Sequence, residues 1–154
     1  MTTIRVFGTP APQGSKQGRA VKKGGVYTGR VVMHESSAEK VESWRQDVIM
    51  TVLREARGIY FDGPVRLTVG FLLRRPASHY RTGKNAHLLR DAAPRHPGKK
   101  PDIDKLLRST LDGLGESGIW RDDAQVVEVV ARKLYADHEP TGAHITIEPL
   151  GENA

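Results

Sequence analysis

Hydrophobic period changes repeatedly along this chain, and those changes constrain its fold more than any single residue does. TIRVFG at 3–8 alternates apolar and polar residues, the period of a strand. From Ser36 to about Arg57 the apolar residues Val41, Trp44, Val48, Val52 and Ala56 recur every three or four positions, the period of a helix. Ser36 or Ser37 is placed to cap its start and Gly58 to end it. VRLTVGFLL at 65–73 returns to the strand period, with Val65, Leu67, Val69 and Phe71 on one face. Residues 102–115 read as a second helix, with Ile103, Leu106, Leu107, Leu111 and Leu114 as its stripe and Asp102 or Asp104 as its cap. VVEVVARKLY at 126–135 and AHITIE at 143–148 read as two further strands, expected to be antiparallel neighbours across DHEPTG. This order predicts an α+β domain spanning residues 1–154, two main helices packed on a small mixed sheet, with PLGENA a frayed tail.

Composition narrows the setting. The 154 residues contain no cysteine, which excludes disulfides and thiolate metal sites and fits a cytoplasmic chain. No apolar run reaches the length of a membrane span, and MTTIRVFG lacks the features of a secretion signal. The net charge of +6 is unevenly spread. Residues 10–32 carry Lys16, Arg19, Lys22, Lys23 and Arg30 without an acid. Residues 74–100 carry Arg74, Arg75, Arg81, Lys84, Arg90, Arg95, Lys99 and Lys100 against Asp91 alone. Both segments are poor in periodicity and read as flexible basic loops, the first as a loop or hairpin, together forming a surface for a polyanion.

Between these cations lies KKPDIDKLLRSTLDGLGESGIWRDDAQV, residues 99–126. Carboxylates repel nucleic acid, so a polyanion-binding chain gathers them mainly to hold a cation against a phosphate. Asp102 and Asp104 stand two apart at a loop-to-helix junction, where an extended backbone points both the same way and lets them share a hard cation such as Mg²⁺. Asp104, Arg108 and Asp112 follow at helical spacing on one face. The turn carrying Asp122 and Asp123 is placed to fold back and add a third carboxylate. Each feature also has a plain structural reading, as helix cap, surface ion-pair ladder and turn.

PDIDKLLRSTLDGL followed by GIWRDDAQV resembles the signature of RusA-type Holliday-junction resolvases, and the first strand with GTPAPQGS suits that family as well. The resemblance implies a homodimeric endonuclease that cuts four-way DNA junctions at symmetric points with Mg²⁺, or Mn²⁺ in its place. It implies Asp102, Asp104 and Asp123 as metal-binding catalytic carboxylates and Arg108 as the assisting cation. The family usually has lysine where this chain has Arg108 and asparagine where it has Lys105. An arginine stays charged, so Arg108 is suited to offset phosphate charge and not to act as a base. Lys16, Arg19, Lys22, Lys23, Arg74, Arg75, Arg81, Lys84, Arg90, Lys99, Lys100 and Lys105 are the expected DNA-binding cations. Two other readings stay open: a non-catalytic nucleic-acid-binding module, and a different metal nuclease of the PD-(D/E)xK kind. The second lacks its [DE]xK on the following strand, which reads Val127-Glu128-Val129-Val130.

Overall fold

The computed structural model describes residues 1–14, 16–35 and 38–151. Four strands form the main sheet: β1 (Thr2–Phe7), β4 (Val65–Leu73), β5 (Val126–Tyr135) and β6 (Gly142–Pro149), in the order β1-β6-β4-β5. β2 (Lys16–Lys23) and β3 (Val26–Glu35) form a separate antiparallel hairpin, so much of the first basic segment is a two-stranded ribbon. Two helices, α1 (Ala38–Glu55) and α2 (Ile103–Glu116), complete the α+β fold. Ser36 and Ser37, the expected caps of α1, and residues 152–154 of the tail lie outside the described residues. Among the described residues no helix is long and apolar enough to cross a membrane.

Chemistry decides the strand order. β4 is the most apolar strand and takes a central place, antiparallel to β6 and parallel to β5. The parallel partner is reached through α2, the crossover that a parallel pair requires. β5 carries Glu128, Arg132 and Lys133 and takes the edge, where charge is solvated. The expected β5–β6 hairpin is therefore corrected: the turn at 136–141 carries the chain past β4, and β6 inserts between β4 and β1. Six residues are enough for that step, and β4, the most apolar strand, keeps a position flanked on both sides.

One face of the sheet packs against the helices. Ile4, Val6, Leu67, Val69, Phe71, Ile145 and Ile147 meet Val41, Trp44, Val48 and Val52 of α1 and Leu106 and Leu114 of α2 in one core. Trp44 is fully buried, and its indole Nε1 donates to Thr110 Oγ1 at 3.0 Å, tying the helices together. The α2 stripe is rotated from its expected centre. Leu106, Ser109, Thr110, Gly113 and Leu114 are buried, Leu107 and Leu111 only partly, and Ile103 is exposed. The cause is close contact with α1 at Gly113, where a Cβ would stand 3.0 Å from Val48 Cβ and 3.3 Å from Arg45 O. A glycine that weakens an isolated helix here brings two helices together.

Candidate active site

Four contacts fix the start of α2. Gln13 N donates to Lys105 O at 3.0 Å and Ser109 Oγ to Ala11 O at 2.6 Å, pinning the segment after β1 to the helix. Lys133 Nζ, on β5, donates to Lys99 O at 2.8 Å and Pro101 O at 2.9 Å, holding the approach to the helix against the end of that strand. Asp102 is the N-cap residue with extended backbone, but its side chain makes no capping bond and instead lies 3.5 Å from Lys105 Nζ. Its carboxylate borders a cleft of about 930 Å³ walled by residues 8–12, the first half of α1 and Lys100–Asp102.

That cleft holds two groups the sequence reading missed, Lys40 and Asp47. Burial pushes the Asp47 carboxyl above the usual carboxylate range. The carboxylate lies over Gly8, whose φ is +143° and where any Cβ would collide with Asp47 Oδ2. GTP after the first strand was the available signal, a glycine at a strand end marking close approach.

Asp104 sits in the first turn of α2, where the helix dipole favours a negative charge. Asp104 and Arg108 are both exposed, and among the described residues neither has an ion-pair partner. The expected ladder does not form, because Asp112 turns toward Arg45, 3.9 Å away.

The second acidic group is built by a different device. Asp122 caps a 3-10 turn, Asp123–Gln125, by accepting from Ala124 N at 2.8 Å. Gln125 Oε1 accepts from Arg121 N and Asp122 N, while its Nε2 donates to Phe61 O and Gly63 O. Gln125 thus locks the turn to the chain before β4, a role written in the D-x-x-Q spacing of a capping box. Trp120, buried, donates Nε1–H to Asp123 Oδ1 at 2.8 Å. The Asp123 carboxylate lies against Gly115, in a shallow pocket shared with Asp112, Glu116, Arg121 and Asp122.

The turn therefore folds back on the far end of α2. Asp104 and Gly115 are separated by eleven helical residues, roughly 16 Å along the axis. Asp102 and Asp104 stand at one end and Asp123 at the other, and among the described residues no three metal-ligating side chains converge. A cation held by all three acids within a single chain does not fit this arrangement.

The basic segments divide in the same way. Arg75 is buried: it donates to both Asp137 carboxylate oxygens at 2.7 and 3.1 Å and to Pro94 O at 2.7 Å. Its guanidinium lies 4.1 Å from the Tyr135 ring centroid and holds the Asp137 carboxyl below the usual range. Arg81 bonds Asp91 and Leu89 O, and Arg90 bonds Ser78 O, folding residues 77–91 on themselves. Arg74, Lys84, Lys99, Lys100, Lys22 and Lys23 are exposed and Lys105 is half-buried, whereas the side chains of Lys16 and Arg19 lie outside the described part.

The sequence model of the family endodeoxyribonuclease RusA matches residues 9–148. The chain is also similar to the uncharacterized protein YqaN of Bacillus subtilis (strain 168), 26% identical over 132 residues that make up 86% of each chain.

Proposed function

Since the chain belongs to the RusA endodeoxyribonuclease family, we propose that it is a Mg²⁺-dependent homodimer that resolves four-way DNA junctions by paired symmetric nicks. The observation that carries this reading is the exposed trio of Asp102, Asp104 and Arg108 at the start of α2, with Lys99 and Lys100 beside them. Asp102 lies 3.5 Å from Lys105, and among the described residues Asp104 and Arg108 have no ion-pair partner. An exposed acid left without a cation, as Asp104 is among the described residues, is available to an external one. Because Asp123 lies at the other end of the helix, the full carboxylate set requires two copies. Asp102 and Asp104 of one and Asp123 of the other would hold the ion, with Mn²⁺ as a substitute. When bound, such an ion supplies positive charge at the phosphate.

The chain's own residues do the rest. Arg108 offsets charge on the scissile phosphate without exchanging a proton. Lys40, Lys100 and Lys105 line the cleft beside Asp102 and draw the flanking strand into it. Lys22, Lys23, Arg74, Lys84 and Lys99 grip backbone phosphates farther out, while Arg75 is a structural cation.

A labelled immobile four-way junction, beside a linear duplex of matched sequence, tests this with and without Mg²⁺. Paired metal-dependent nicks on the junction alone are expected. The divided acids equally suit a non-catalytic DNA-binding module, and tight junction binding without cutting in Mg²⁺ or Mn²⁺ would establish that reading instead.

A further inference from the structure

β5 is bonded to β4 along one side, and among the described residues nothing pairs with its other side. A ten-residue open edge invites a second chain unless it is blunted. This one carries no proline, and apart from the charges Glu128, Arg132 and Lys133 it is apolar, with Val127 61% exposed and Val129, Val130 and Leu134 38 to 40% exposed. On the helix side, Ile103 is exposed, and Leu107 and Leu111 of α2 are only partly covered.

We propose that two copies of the chain join edge to edge along β5, antiparallel about Val130, merging their four-stranded sheets into one. The inference rests on the homodimer reading above and names its surface and register.

Charge selects the register. Across the solvent face of the sheet runs a row of alternating sign: Glu148, Arg66 and Glu128, with Arg66 3.6 Å from the first and 2.9 Å from the second. Arg132, two positions after Val130, is exposed and among the described residues has no ion-pair partner. Antiparallel pairing about Val130 sets Glu128 of each copy opposite Arg132 of the other, so the alternation continues across the join. The same register faces Val129 with Ala131 and Val127 with the stem of Lys133, and sets no like charges opposite each other.

The divided acids select the direction. β5 begins three residues after Asp123, and its far end holds the segment leading into Asp102 through the Lys133 bonds to Lys99 and Pro101. Antiparallel pairing lays the start of one β5 beside the end of the other. Asp123 of each copy then approaches Asp102 and Asp104 of its neighbour. Parallel pairing would align like ends, and pairing through α1 would leave the β5 edges apart.

The absence of native cysteine makes a clean test. Val130→Cys puts a single thiol on the two-fold axis, facing its own copy across about 4.5–5.5 Å between Cα atoms, within disulfide reach. Oxidised glutathione should convert most of this variant to a covalent dimer that reductant releases, while Met50→Cys, on the exposed side of α1, should stay uncrosslinked. Arg132→Glu, read by sedimentation, should weaken dimerisation at least tenfold by facing Glu128 with a like charge. A solution dimer in which Val130→Cys resists crosslinking overturns the β5 edge and leaves the homodimer standing. A chain that stays monomeric at every concentration, alone and with junction DNA, ends both.

Discussion

The Asp123 carboxylate lies against the α2 backbone at Gly115, so close that a Cβ there would stand 2.8 Å from Oδ1. Gly115→Ala should keep the fold, since alanine favours the helix by about 1 kcal/mol, while pushing Asp123 off its Trp120 bond. Cleavage should fall at least tenfold with a shift in tryptophan emission; unchanged cutting would take Asp123 out of the chemistry. Asp104 has no such support, being exposed and without an ion-pair partner among the described residues. Asp104→Asn should abolish junction cleavage and leave junction affinity within twofold by gel shift, and unaltered cutting would count against its role. At this scale the acids were readable from sequence, because aspartates in a basic chain are conspicuous. Their positions in space were not: spacing along a helix says which face a residue takes, not to which end a later turn returns. Gln125 and Gly115 settle that, the first through bonds to Phe61 O and Gly63 O and the second by leaving room for the Asp123 carboxylate.

Among the elements, the segment between β4 and α2 departs furthest from its expected character. Its cations make it look like a loose phosphate-gripping loop, yet Arg75 turns inward to Asp137, Pro94 and Tyr135. Composition could not separate this arginine from its neighbour Arg74, because the difference lies in the ring and carboxylate that β5 and the following turn bring up. Arg75 holds the Asp137 carboxyl low, so the pair stabilises the fold above the ordinary aspartate range, and that contribution is lost as pH falls through the lowered value. Asp137→Asn should cost about 1 kcal/mol at neutral pH. The deficit in thermal midpoint should hold steady above about pH 5 and close below about pH 4. A pH-independent deficit would show that packing, and not ionisation, is at stake. The strands and helices themselves were legible in their periods. Strand order was not, because β5 and β6 are joined by a turn short enough for a hairpin and are separated only by the stronger claim of β4 on the centre.

For the whole molecule, the separation of Asp104 from Asp123 makes a statement about stoichiometry. If each site draws on two chains, mixing Asp104→Asn with Asp123→Asn chains yields mixed dimers in which one site carries both changes and the other none. Such mixtures should regain nicking of one strand per junction, at up to about a quarter of the native rate for an equal mixture at random exchange, while each variant alone stays inactive. No recovery after verified exchange would place all three acids of a site on one chain. Nothing in the sequence forecasts this division, since the family signature runs through both acidic groups as one continuous stretch.

Helix α2 has fourteen residues, a rod of about 21 Å between one acidic group and the other. In the proposed pair two such rods lie side by side in opposite directions, and each spans the interval from one cutting centre to its twin. The helix is then a ruler. An inserted turn would move the centres about 5.4 Å farther apart with the strand edges unmoved, so the distance between the two nicks is written in the number of turns that α2 contains.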